Sequence, residues 1–124
     1  NNSSGDLNDI WTSSNPDDNS TWKKQTTPIV NGMKDHKAQV FDGKIWILGG
    51  NAGGNMLQKY YIFYSVTQDP AGIISGFSWS SAVPNWSQRS SMASLNFDNH
   101  LWVIGGDNGT GSSSKMKDVW KYGQ

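Results

Sequence analysis

Two stretches of the chain are apolar at every consecutive position, Ile45-Trp46-Ile47-Leu48 and Leu101-Trp102-Val103-Ile104. A strand without polar alternation is buried on both faces, so each is expected to be central in its sheet with packing on either side. Each run belongs to a longer block, Phe41 to Gly50 and Phe97 to Gly106. The blocks align without a gap, 56 residues apart. Inside them Asp42-Gly43 and Asp98-Asn99 accept positive φ at both central positions, which predicts a type I′ hairpin. The strand before each hairpin covers residues 36–41 and 92–97. Ala38 and Val40, then Ala93 and Leu95, are read as one alternating set that gives this strand a small apolar face. Gly49-Gly50 and Gly105-Gly106 close the blocks, where a strand bending beside large aromatics gains from residues with no Cβ.

The remaining segments arrange themselves around this repeat. Residues 1–7 read as a polar loop. Asn8-Asp9-Ile10-Trp11-Thr12 is a short strand whose pattern returns as Lys117-Asp118-Val119-Trp120-Lys121. A third version is Tyr61-Ile62-Phe63-Tyr64, with aromatics in place of the Asp and Trp. Turn-formers fill residues 13–20. A strand at 21–26 carries Trp22, and its counterpart at 77–81 carries Trp79. Pro28 and Pro84 follow and end these strands. Residues 67–76 form an insertion, and no segment keeps a helical apolar period. The class is all-β.

Composition narrows the setting. The 124 residues make at most one ordinary domain, and the formal net charge is zero, so neither nucleic acid nor an anionic membrane is an expected partner. The apolar runs are far shorter than the ~20 residues that cross a bilayer. No signal-peptide pattern opens the sequence, so any such segment is expected to have been removed or to lie upstream. The absence of cysteine excludes disulfides and thiolate chemistry. Charged residues are 16% of the chain and there are seven tryptophans. A weakly charged polar surface over a Trp-rich core points to an extracellular or cell-surface protein.

The repeated unit is four short strands with a period in the low to mid fifties. In these elements the chain resembles the kelch-repeat β-propeller family, in its Trp-rich, Asp-Val-Trp/Gly-Gly form, of the kind found in galactose-oxidase-like blades. The residues that carry the resemblance are Asp9-Ile10-Trp11, Trp22, Asp42-Gly43, Trp46 and Gly49-Gly50. They recur as Trp79, Trp86-Ser87-Gln88-Arg89, Asp98-Asn99, Trp102, Gly105-Gly106 and Asp118-Val119-Trp120. The resemblance implies antiparallel four-stranded blades, with 36–41 and 92–97 innermost and the Trp22 and Trp79 strands outermost. It divides residues 1–124 into two outer strands of a partial blade (8–26), a complete blade (36–81) and three strands of a further blade (92–122). Such a count leaves the ring incomplete. The other blades would come from the rest of a longer chain or from other copies of this one. The Trp22 strand is a candidate to complete the three-stranded unit. The family's arginine ahead of the inner strand is Arg89 in copy two, but copy one has Met33 there, beside Lys34.

Candidate chemistry is sparse. There is no glutamate, and the histidines are His36 and His100 alone. His100 falls in a hairpin turn. His36 begins an inner strand, so it and Arg89 are the candidate ligand-facing residues, although Arg89 at that entry also suits a structural role, bonding carbonyls of a neighbouring blade. Asp17-Asp18 and Asp107-Asn108 lack the alternating spacing of calcium loops. Gly49 to Gly54 lacks the Lys-Ser/Thr of a phosphate loop. No metal and no cofactor is expected. Sequons begin at Asn1, Asn2, Asn19, Asn85 and Asn108, with Asn19, Asn108 and Asn85 as the candidate N-glycosylation sites.

Three functions remain in view. The first is a non-catalytic binding or structural module that holds a protein or glycan, where aromatics such as Tyr60, Tyr61 or Trp86 would stack on sugars. The second is a part of a carbohydrate-active kelch propeller, of the sugar-oxidase or sialic-acid mutarotase type. The copper oxidase version needs a cysteine this chain lacks. The third is a repeating subunit of an extracellular assembly.

Overall fold

The computed structural model describes residues 5–25, 32–58, 60–65, 78–109 and 114–123. Among them the strands are β1 (Ile10–Thr12), β2 (Lys23–Gln25), β3 (Lys37–Phe41), β4 (Lys44–Leu48), β5 (Asn51–Ala52), β6 (Asn55–Met56), β7 (Tyr60–Ser65), β8 (Ser78–Ala82), β9 (Ala93–Phe97), β10 (His100–Asp107) and β11 (Lys115–Tyr122), with a single 3-10 turn at Asn19–Thr21. The protein is all-β. The first sheet is β1-β2, the second β3-β4-β7-β8 and the third β11-β10-β9. β5-β6 is a separate ribbon. All pairings between these strands are antiparallel. None of the sheets closes on itself. The insertion at 67–76, Pro28, Asn1 and Asn2 lie outside the described residues. Trp79 is described in its backbone alone, paired with Phe63.

The two hairpins are duplicates down to single dihedrals. Asp42 and Gly43 have φ of 53° and 66°, and Asp98 and Asn99 have 53° and 59°. Phe41 pairs with Lys44, and Phe97 with His100. The Trp46 indole donates to the Phe41 carbonyl at 3.0 Å, and Trp102 donates to Phe97 at 3.0 Å. The bridge between Lys34 and Asn51 returns between Ser90 and Asp107. The glycine pairs repeat as well, at φ 56° and 107° and then 61° and 107°.

β4 and β10 are both central strands, and the faces of β4 divide its apolar run. Trp46 and Leu48 join Phe41, Met92, Leu101 and Val103 in the main core, between the second and third sheets. Ile47 turns the other way, toward Met33, Ile10 and Tyr61. Fully burying side chains of this size stabilises the fold by roughly 1.5–3 kcal/mol each, which makes the first cluster the main adhesive between layers. The expectation of two buried faces holds less well for β10. Leu101 and Val103 are buried, whereas Ile104 is 37% exposed because no described residue packs over it.

Three further sequence expectations need correction. Ala38 and Val40 do not share an equivalent face with Ala93 and Leu95. The 56-residue register places Ser94 and Asn96 where Ala38 and Val40 stand, so Ala93 and Leu95 lie on the opposite side of their strand. The third version of the Asp-x-Trp strand is also shifted. Tyr61 pairs with Ile47 as Trp120 pairs with Val103, so Tyr61 and not Phe63 occupies the tryptophan's place. Finally, β2 pairs with β1 and not with β11, so the third sheet has three strands among the described residues.

The glycine pair answers to backbone and methionine rather than aromatics. A Cβ on Gly49 would overlap Met92 Cε and sit 2.5 Å from the Arg89 carbonyl oxygen, and one on Gly106 would be 2.7 Å from that of Ser90. Those close approaches let Gly50 N–H donate to Arg89 O at 2.8 Å, which ties the end of β4 to the strand entry of the next repeat.

Candidate functional site

The residues before β9 form the polar centre of the molecule. Arg89 is completely buried. Its backbone N–H donates to Leu57 O at 3.1 Å, so the chain leading from the second sheet fixes its position. Its guanidinium grips Asp118 with both forks, Nη1 to Oδ1 at 2.7 Å and Nη2 to Oδ2 at 2.8 Å. Nη1 also donates to Gly105 O at 2.9 Å, and Nε to Ser87 O at 3.2 Å. The Trp86 ring lies 5.3 Å from the guanidinium carbon, within cation–π range. Arg89 therefore joins the entry of β9, the end of β10 and the start of β11.

The carboxylate side of this pair is tuned accordingly. Hydrogen bonds from Arg89 hold the Asp118 carboxyl well below the usual carboxylate range. Partial burial opposes this, and the Trp120 indole N–H, donating at 2.6 Å, adds to it. The same indole-to-carboxylate bond links Trp11 to Asp9 at 2.8 Å, so the two Asp-x-Trp strands share one local device. Arg89 presents no surface to solvent, and its donors are committed within the fold.

His36 lies half-buried at the entry to β3, against Gly50. Its Nδ1 is buried without a hydrogen-bond partner, and desolvation lowers its pKa below the ordinary value, against an opposing pull from Asp35. His100 sits in its turn, with Nδ1 2.5 Å from the Asp98 carbonyl. On the third sheet Lys115 bonds Asp107 at 2.5 Å and, with the Gly109 N–H and Ser114, depresses that carboxyl to about 2. Among the described residues no three His or Asp groups gather as a metal site, and no helix is long and apolar enough to cross a membrane. Asn19 and Asn85 are exposed, and Asn108 is partly buried.

A cleft of about 410 Å³ lies between the second and third sheets, and a second concavity of about 610 Å³ lies near the hairpin turns, against Phe41, Asn96 and Asn99. The walls of the cleft carry Trp46, Tyr60, Trp86, Trp120 and Tyr122, with Asn85 at a polar position, while the Lys121 ammonium turns to the other face of its sheet, 5.8 Å from the Trp102 ring. Alternation explains the lining. Tyr60 faces the third sheet because it pairs with Leu48. Trp120 and Tyr122 face the second because they pair with Val103 and Leu101. Trp46 is the hub, with ring centroids 5.4 Å from Tyr60 and 5.0 Å from Tyr122. Burial, with Tyr122 nearby, pushes the Tyr60 hydroxyl pKa up. Trp86 and Trp46 are buried, whereas Trp120 and Tyr122 are open to solvent at the mouth. Tyr60 and Trp86, marked from sequence as sugar-stacking aromatics, meet here, while Tyr61 packs on the opposite face. Sequence reading missed Tyr122 in this role, although its two-residue spacing from Trp120 on one strand is the signal for a shared face.

No protein-family model matches the chain, and no curated protein matches it.

Proposed function

We propose that the chain is a kelch-like blade segment of a secreted or surface protein and works as a non-catalytic binding module whose ligand is a glycan. The observation that carries the reading is the aromatic cleft between the second and third sheets. Small-ligand sites are mostly apolar concavities of roughly 300–1,000 Å³ with a few polar groups that set orientation. The cleft has that size and balance. The exposed faces of Trp120 and Tyr122 suit the C–H face of a pyranose ring, while the Asn85 amide supplies a donor and an acceptor for its hydroxyls. Support for blades of the kelch type comes from the antiparallel four-strand meander and the duplicated Gly-Gly hairpins. Exposed Asn19, with Asn108, is the glycan acceptor such a setting would use.

A glycan array followed by titration of tryptophan fluorescence tests the reading. Binding that weakens at least tenfold in both Tyr122→Ala and Asn85→Ala, with circular dichroism showing both variants folded, supports it. A chain that retains no glycan, or binding indifferent to both substitutions, sinks it.

A further inference from the structure

The interface between the second and third sheets joins two different faces. The second sheet contributes Gln39, Phe41, Trp46 and Leu48. The third contributes Ser94, Asn96, Leu101 and Val103. Polar side chains lock the inner strands together: Gln39 Nε2 donates to Ser94 O at 3.0 Å and Asn96 Nδ2 to Val40 O at 2.9 Å. Because the hairpins repeat at 56 residues, each sheet carries the other's face on its reverse. The reverse of the third sheet presents Leu95, Phe97, Trp102 and Ile104, the positional equivalents of Gln39, Phe41, Trp46 and Leu48. The reverse of the second presents Ala38, Val40, Ile45 and Ile47, the equivalents of Ser94, Asn96, Leu101 and Val103.

Both reverse faces are open. On the third sheet Leu95 is 39% and Phe97 63% exposed, and Val119 extends the same patch. On the second, Ile47 packs on Met33, as Ile10 of β1 does, yet Val40 remains 65% and Ile45 41% exposed. An apolar patch of this kind on two sides of a small molecule marks interaction surfaces.

We propose that these faces bind each other in successive copies of the chain. The Leu95-Phe97-Trp102-Ile104 face of one copy seats on the Val40-Ile45 face of the next, in the arrangement already present inside each copy, with apolar Leu95, Ala38 and Val40 in place of the polar Gln39, Ser94 and Asn96. In the seated arrangement β11 of the first copy takes the place of β1 beside β2 of the second. The exchange is chemically matched, because β1 and β11 carry the same indole-bonded Asp-x-Trp motif. It is also cheap, because a two-stranded ribbon of three-residue strands is marginal in water. The contact is heterologous, so it propagates head to tail into a ring or a filament. It stands independently of glycan binding.

Complementary variants test it. Ile45→Lys blocks one face and Ile104→Lys the other, and both positions are already partly exposed. The expected result in analytical ultracentrifugation is concentration-dependent association of the wild type and monomers for each variant alone. Mixed in equal amounts, the variants pair through their intact faces and stop at a dimer. Circular dichroism melts confirm that each variant folds. A monomeric wild type at hundred-micromolar concentration overturns the proposal, as does either variant associating alone, or folded variants that fail to pair when mixed.

Discussion

Replacing Arg89 by methionine asks how much the buried ion pair holds, using the residue the other repeat carries at the equivalent position, Met33. Methionine keeps most of the aliphatic volume and removes the charge. The Gly105 and Ser87 carbonyls lose their donors, and the Asp118 carboxylate loses both forks. Removing one partner of a buried pair typically costs about 3–5 kcal/mol. Here the orphan is Asp118, whose side chain is 35% exposed, so water recovers part of its solvation and the low end applies. With the unpaired Gly105 carbonyl, the expected loss is about 3–4 kcal/mol. For a chain of 124 residues that corresponds to roughly 12–15 °C in melting temperature.

The reciprocal change is expected to cost more. Asp118→Ala leaves a guanidinium with no access to solvent and no counter-charge, while Arg89→Met leaves a carboxylate at the edge of water. Removing both groups together should cost less than Asp118→Ala alone. Acidity supplies a second axis. The folded pKa of Asp118 is depressed, so the pair's contribution is complete above the ordinary carboxylate pKa and disappears as pH falls below about 4. Urea melts of wild type and Arg89→Met should therefore differ by a constant amount from pH 8 to 5 and converge toward pH 2. A cost under about 1 kcal/mol, or a gap undiminished at pH 2, would falsify the assignment of Arg89 as the polar anchor of the fold.

Further outcomes follow from three single positions. Gly49→Ala forces a Cβ into Arg89 O and Met92 and should lower stability by about 2–4 kcal/mol in denaturant melts. Gly43→Asn, at φ 66° in open space and copying Asn99, should stay within about 0.5 kcal/mol of wild type. His36 has a lowered folded pKa, so the unfolded chain takes up the proton first, and stability should fall as pH drops from 7 toward 5. His36→Leu should flatten that slope, and an unchanged slope in the variant would assign it to other groups.

The repeat made the hairpins legible, because turn chemistry and register are local. Asp42-Gly43 and Asp98-Asn99 define the turn, and the turn defines every pairing from Phe41 back to Lys37. The faces were harder. A run such as Ile45 to Leu48 announces that both sides are apolar, but not which side meets which layer. That depends on the neighbouring sheet, and Ile104 remains open where Leu48 is closed although their positions are equivalent. The Arg89–Asp118 pair escaped sequence reading for a related reason. Both residues were noted, one ahead of an inner strand and one on an Asp-x-Trp strand, yet nothing in a spacing of 29 residues says that a bulge near Gly105 brings them together.

Comparing the two repeats separates what the fold demands from what each layer chooses. The turn dihedrals, the indole-to-carbonyl bond, the glycine pair and the bridge at its flank are present in both, so backbone geometry requires them. Position 33 against position 89 is different. Met33 packs with Ile10, Ile47 and Tyr61, whereas Arg89 reaches Asp118. The pair of backbone bonds at these positions is nonetheless the same in kind, with Met33 N–H on Leu7 O and Arg89 N–H on Leu57 O. One backbone site thus accepts an apolar or an ionic plug, and the strand in tryptophan register decides which: Tyr61 in one sheet, Trp120 with Asp118 in the other. A buried charge survives only where a fixed carboxylate meets it, so the ionic plug marks the sheet whose third strand carries Asp-x-Trp. β1 carries the same Asp9-Ile10-Trp11 device with its carboxylate bound by Trp11.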